Sequence, residues 1–219
     1  DALPIFDYSD EMGPVNDQGN EGSCCGMACD AMKQWQEKRD WGRFINLSPR
    51  FVYEEARKID GLPNTFDGTN LRSCIKILCK KGICEEEDCP YIPRQHIQIT
   101  DEMREKALKY RIKEYWRVKK DDLRSALTQA GPLVVAVGVY PNWYADEVKE
   151  TGIVPNPKGT SCRGHAICIV GFVDKYIKFK NSWSNGWGDK GYGYLSREYP
   201  IKEIWVTVDI VTPRTIGLL

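Results

Sequence analysis

Gly131-Pro132-Leu133-Val134-Val135-Ala136-Val137-Gly138-Val139 is the stretch at which this chain changes character. The Gly-Pro pair ends a helical pattern, and the β-branched run after it, bounded by turn residues, reads as a strand. Working downstream, 166–173, 176–180, 191–195 and 204–209 read as further short strands separated by Gly, Asp and Asn. Such spacing predicts an antiparallel barrel or sheet. Working upstream, the chain reads mostly helical. Ser23 is a plausible N-cap for a helix over 24–39, whose early part is small or apolar apart from Asp30 and therefore buried. Ser48-Pro49 opens a second helix with Phe51, Val52, Glu55 and Ala56 at helical spacing. A third runs over 70–81 and stops at Gly82. A fourth falls on 101–110 or 121–130. The fold class is α+β: a helical lobe over about 10–110, a β lobe over about 111–210 with residues 1–9 packing on it, and a site in the cleft between them.

Bulk properties exclude several functions. The 219 residues suit one large domain or two small lobes sharing a site. Hydrophobic residues make up 42% and charged residues 28%, as in an ordinary soluble globular protein. Lys plus Arg and Asp plus Glu both number 31, so no electrostatic case exists for nucleic acid or an anionic membrane. No apolar run approaches the roughly 20 residues that span a bilayer. Asp1-Ala2-Leu3-Pro4 carries no basic segment followed by a long apolar one, so a signal peptide was either removed or never present. Nine cysteines is a high and odd count, compatible with one free reactive thiol in an oxidising compartment or nine free thiols in a reducing one. The acceptor Asn46-Leu47-Ser48 sits against a helix start and is discounted as a glycosylation site.

Gln18-Gly19-Asn20-Glu21-Gly22-Ser23-Cys24 carries the chemistry. A cysteine at a helix start feels the positive end of the helix dipole, which favours the attacking thiolate, and its backbone N–H faces where an oxyanion would sit. By itself the segment is equally well read as a small buried residue. The partners move the balance. His165, one of only two histidines, stands at a strand entry in Arg163-Gly164-His165-Ala166-Ile167. Sixteen residues on, Asn181 lies in Lys180-Asn181-Ser182-Trp183-Ser184-Asn185-Gly186-Trp187-Gly188. Two strands joined by a turn bring imidazole and amide side by side, and an amide orients the ring without adding a carboxylate charge.

With those pieces in place the chain resembles the papain-like cysteine peptidases, and more closely their prokaryotic-type members. The matching segments run almost end to end: Pro14-Val15-Asn16-Asp17-Gln18-Gly19, Gly22-Ser23-Cys24, Leu47-Ser48-Pro49, Asp67-Gly68-Thr69, Gly82-Ile83-Cys84-Glu85 through Pro90-Tyr91, Gly164-His165-Ala166, Asn181-Ser182-Trp183, Gly186-Trp187-Gly188 and Gly191-Tyr192. His165 follows Cys24 by 141 residues, within the roughly 130–150 expected, and Asn181 falls slightly beyond.

The resemblance implies a papain-like two-lobe fold and a cysteine-type endopeptidase acting through a thioester. Cys24 would be the nucleophile and His165 the general base and acid, oriented by Asn181. Gln18 would complete the oxyanion hole, and its six-residue spacing selects Cys24 over Cys25. Trp183 would shield the His165–Asn181 pair, and Gly68 would pair with an extended peptide. Thr69, Val135 and Gly164 are the residues expected to line the pocket for the residue before the scissile bond. No cofactor or metal is called for. The expected partners are a peptide or protein substrate and an inhibitory pro-segment, with the chain itself a monomer.

Three departures stand out. Cys25 replaces the tryptophan that usually follows the nucleophile, which leaves the leaving-group side of the cleft open to question. Glu21, and Asn64, Thr65 and Phe66, stand where the family commonly has two disulfide-bonded cysteines. Cys74, Cys79, Cys84 and Cys89 recur every five residues, but a five-residue helical step turns them to different faces, so core packing or one local disulfide is favoured over zinc. Cys29 is expected to pack, Cys162 could face Cys24 across the cleft, and His96 reads as a surface loop histidine. A transglutaminase-like enzyme should carry Asp at 181, and a degenerate binding module should have lost Cys24, His165 or Gln18. With only two histidines there is no extra histidine loop to grip a C-terminal carboxylate, which favours endopeptidase action.

Overall fold

The computed structural model describes residues 6–63 and 65–210. Residues 1–5, Asn64 and residues 211–219 lie outside this range, so the packing expected of residues 1–5 lies outside the described residues. Six helices are described: α1 (Cys24–Trp41), α2 (Pro49–Asp60), α3 (Leu71–Lys80), α4 (Asp101–Ala107), α5 (Leu123–Ala130) and α6 (Asp146–Thr151). Eight strands accompany them: β1 (Phe6–Asp7), β2 (Ile112–Arg117), β3 (Leu133–Val139), β4 (Ile153–Val154), β5 (Arg163–Val173), β6 (Tyr176–Lys180), β7 (Tyr192–Ser196) and β8 (Ile201–Asp209). The strands form one sheet in the order β2-β8-β3-β5-β6-β7-β4, with β1 on β5. All pairings are antiparallel except β4 with β7.

Both alternatives for the fourth helix exist, as α4 and α5. The strand β2 escaped the sequence reading for a physical reason. It is an edge strand, Ile-Lys-Glu-Tyr-Trp-Arg, with only Ile112 fully buried, so it shows no apolar alternation.

The seven-residue run of β3 is apolar because it is covered on both faces. Val134 joins the core built from α1, α2 and α3, together with Ala166, Cys168 and Val170 of β5. Val135, Val137 and Val139 turn to the opposite core with Ile167, Ile169, Phe179 and Trp143. At the start of the run, Gly131 is irreplaceable. Its φ is +82°, and a Cβ there would lie 2.2 Å from the Trp35 ring. Helix α1 is the spine of the molecule, packed on α2, α3 and β5 and buried from Cys25 to Glu37.

Local chemistry sets the helix ends. Ser48 caps α2 through Oγ, which accepts from Phe51 N at 3.1 Å, and Pro49 follows at the first position. Ser23 behaves differently from the sequence expectation. It precedes α1, but its side chain makes no capping bond and instead lies 2.6 Å from the Tyr91 hydroxyl. The first-turn amides of α1 are thus left uncapped at the point where Cys24 stands.

Candidate active site

A cleft of about 790 Å³ lies between the start of α1, the 66–73 segment and the facing sheet. Gln18, Cys24, Gly68, Thr69, Gly164 and His165 are among its walls. Two pairings bring the imidazole to the thiol: β3 with β5 places His165 opposite Val137, and α1 packs against β5.

His165 is 4% exposed, and its Nε2 lies 2.9 Å from Asn181 Oδ1. The same oxygen accepts from Ser182 N at 2.9 Å, which fixes the amide orientation because only an oxygen can accept both bonds. Nε2 is then the protonated ring nitrogen, and Nδ1 is the one free to take a proton. Trp183 stacks on the ring at 4.9 Å between centroids, while Trp143, fully buried, meets it edge-on at 5.9 Å.

The thiol pair needs a decision. The hydrogen bond with Cys25, and then burial, push the Cys24 thiol up, while the His165 imidazole pulls it down. Cys25 moves the other way, lowered by hydrogen bonds with Cys24 and Cys74 against burial. These opposite shifts describe a coupled pair, in which ionising one sulphur keeps the neighbouring thiol protonated. Geometry makes Cys25 the one that keeps its proton, since its Sγ lies 3.4 Å from the Thr69 carbonyl. A thiol satisfies that oxygen, whereas a thiolate would repel it. Cys24 is left as the sulphur that faces the imidazole at the dipole-positive end of α1.

Gln18 is 4% exposed and held at both ends of its amide. Its Oε1 accepts from Ser182 Oγ at 2.7 Å, and its Nε2 donates to the Glu21 carbonyl at 2.7 Å. Gln18 lines the cleft, and its Nε2 carries a second N–H beyond the one given to Glu21. A helix-start thiol, an imidazole with Nδ1 free and two amide donors can carry out acyl transfer.

Comparison with known proteins bears on that reading. The sequence profile described as papain family cysteine protease matches residues 4–211. The chain belongs to the papain family. This papain-family chain is 28% identical over 218 residues to an uncharacterized peptidase C1-like protein of Acanthamoeba polyphaga mimivirus, covering 90% of the chain and 70% of the viral protein. Cathepsin K of Gallus gallus is 27% identical over 195 residues, covering 84% of the chain and 55% of the cathepsin. Xylellain, a cysteine protease from Xylella fastidiosa, has a structure similar to this one with a TM-score of 0.86 at 29% identity, covering 96% of the chain and 87% of xylellain. The chain therefore spans little more than half the length of the cathepsin and most of xylellain. It is a cysteine-type peptidase.

In this papain-family peptidase the loops around Glu21 and Asp67 are braced by charge. The Glu21 carboxylate accepts from Arg50 at 2.8 and 2.7 Å, from the Tyr91 hydroxyl at 2.9 Å and from Arg94 N at 3.0 Å. Burial opposes ionisation of Glu21, but these bonds prevail and hold its pKa low. Gly22 N donates to Asp67 Oδ1 at 2.6 Å, joining the two loops directly.

The remaining expected residues divide. Thr69 lines the cleft, with Oγ1 donating to Asp60 Oδ2 at 2.6 Å. Gly164 also lines it, and a Cβ there would meet nothing within 4 Å. Gly68 is less free than an unpaired strand edge: its N–H donates to Tyr53 Oη at 3.2 Å and its carbonyl accepts from Arg57 at 3.1 Å. The second carbonyl lone pair is what remains for a peptide. Val135 does not reach the cleft. It is fully buried in the core on the far side of β3, and the next residue, Ala136, lines the cleft instead, because strand side chains alternate.

The sequence reading missed Ser182, Trp143, Arg57 and Tyr53 as supports. Only Ser182 carried a local signal, through its place beside Asn181. Cys74 packs near Cys25 and Cys29, and Cys84 packs beside Cys89. Cys162 is exposed and is not among the residues lining the cleft. His96 is partly exposed, with Nδ1 2.9 Å from Glu54 Oε1.

Proposed function

We propose that the chain hydrolyses internal peptide bonds through an acyl-enzyme on Cys24, with His165, Asn181 and Gln18 in support. His165 Nδ1 takes the Cys24 thiol proton, and the thiolate adds to the scissile carbonyl carbon. The resulting oxyanion accepts from the Cys24 backbone N–H and the free N–H of Gln18. His165 then returns the proton to the departing amine as the C–N bond breaks, leaving a thioester. Water, deprotonated by the same nitrogen, adds to the thioester carbonyl; the C–S bond breaks, a carboxylate product leaves, and the thiol is restored. The observation that carries this reading is the 2.9 Å contact of His165 Nε2 with an amide oxygen whose orientation Ser182 N fixes, which leaves Nδ1 for Cys24.

A peptide would lie extended along the 67–69 segment. The lobes divide near residue 110, the chain acts as a monomer, and an inhibitory pro-segment would occupy the same cleft. Labelling with an epoxide selective for papain-like thiols, followed by peptide mass mapping of wild type and Cys24→Ala, tests the nucleophile. Modification confined to Cys24 supports it. Modification at Cys25, or none in folded reduced protein, overturns it.

A further inference from the structure

Arg163 stands at the wall of the cleft. The departing amine must be protonated by His165, so the residues after the scissile bond exit on the side of the imidazole and its cover, Trp183. That side carries an aromatic stack, with Trp183 on His165 at 4.9 Å and Tyr144 on Trp183 at 5.9 Å and 12°. Arg163 is two residues from His165 on β5 and lies on the same face of the strand. Its guanidinium sits 5.7 Å from the Trp183 ring centre and 5.9 Å from that of Tyr144.

Both distances are within reach of a cation–π contact, which holds the guanidinium near the rings without using its N–H donors. Arg163 is exposed and lines the cleft, and among the described residues no ion pair engages it. The two cleft carboxylates are committed elsewhere: Asp67 to Gly22 N and Arg94, Glu203 to Trp205 Nε1 at 2.9 Å. A held guanidinium with free donors is a receptor for a carboxylate.

We propose that Arg163 is a specificity residue of this peptidase, selecting substrates with an acidic side chain at the first position after the scissile bond. The proposal rests on the peptidase reading above. A carboxylate there could also come from a chain terminus, and internal cleavage selects the side chain. Because Arg163 is exposed, the preference is a modest one, several-fold in kcat/KM, and weakens with added salt.

The test uses internally quenched peptides identical except for Glu, Gln or Lys after the scissile bond, and a shorter peptide ending in either a free carboxylate or an amide. Wild type, Arg163→Gln and Arg163→Glu are compared by the ratio of kcat/KM within each variant, which a merely structural defect leaves unchanged. Expected is a Glu over Lys ratio of about three- to tenfold in wild type, about one in Arg163→Gln, and inverted in Arg163→Glu. A ratio unaltered by either substitution overturns the proposal. So does a preference for the terminal carboxylate over its amide without any Glu over Gln preference. Epoxide labelling of Cys24 is read on the same samples. Labelled enzyme that cleaves without charge preference sinks only this proposal, whereas enzyme that neither labels nor cleaves sinks the peptidase reading and this proposal with it.

Discussion

Ser182 Oγ donates to Gln18 Oε1 at 2.7 Å, and Gln18 N donates to the Ser182 carbonyl at 2.9 Å. The loop that carries Gln18 and the loop that carries Asn181 are therefore tied together. A single serine beside Asn181 sets the Asn181 amide through its backbone and the Gln18 amide through its side chain.

Replacing Ser182 by Ala should leave the fold intact and free the Gln18 amide to rotate. One hydrogen bond of about 1 kcal/mol corresponds to roughly fivefold. The fall should be in kcat, with KM changed less than twofold, because the proposed role of the amide is on the oxyanion rather than on the bound peptide. Steady-state kinetics on a fluorogenic peptide checks this.

Asn181→Ala removes the acceptor on His165 Nε2. A hydrogen bond to a ring that becomes charged is worth about 1.5–3 kcal/mol, so kcat/KM should fall about 10- to 150-fold. Asn181→Asp should act differently. A carboxylate at the same 2.9 Å favours the imidazolium, raising the imidazole pKa and moving the alkaline limb of the pH profile to higher pH. The pH dependence of kcat/KM for the two variants separates loss of orientation from added charge.

Arg57 is buried, and its guanidinium donates to the carbonyls of Pro63, Phe66 and Gly68, tying the cleft-lining segment to α2. Arg57→Ala should lower stability by about 2–3 kcal/mol and raise KM more than it lowers kcat, because the proposed role of that segment is to hold the peptide rather than to react. Arg57→Lys should rescue little, since one ammonium cannot span three carbonyls held by a planar fork. Denaturant melts with parallel kinetics read both effects.

Glu55 has a fully buried side chain, and Lys58, Lys81 and Arg104 converge on it. Burial alone would raise its pKa, but the hydrogen bonds from Arg104, Lys81 and Lys58 overcome this and hold it at about 2. The folded value lies below the unfolded one, so Glu55 stabilises the protein above pH of about 4.5. That contribution should fade as pH falls toward 2. The stability difference between wild type and Glu55→Gln, about 2 kcal/mol at pH 7, should shrink between pH 4.5 and 2.5 in acid melts.

The helices and most strands were legible because their signals are local. Pro49 after Ser48, the Gly131-Pro132 stop and the β-branched run of β3 each declare themselves within a few residues. The edge strand β2 was not legible, because an edge exposed along one side needs no apolar pattern. The Val135 assignment failed for a related reason. A continuous apolar strand hides its own alternation, and only its pairing shows that Ala136, not Val135, faces the cleft.

At the site, the reactive groups available could be read from residue type and spacing: a thiol at a helix start, a histidine at a strand entry and an amide after the next strand. Residue type and spacing suffice for that, since chemistry belongs to side chains and helix starts are set by local sequence. Packing alone sets which sulphur faces the imidazole, how Ser182 couples Asn181 to Gln18, and where Arg163 lies near Trp183 and Tyr144. These are contacts between residues far apart in the chain or turned by strand pairing, and their distances and directions exist only once the helices and the sheet have packed.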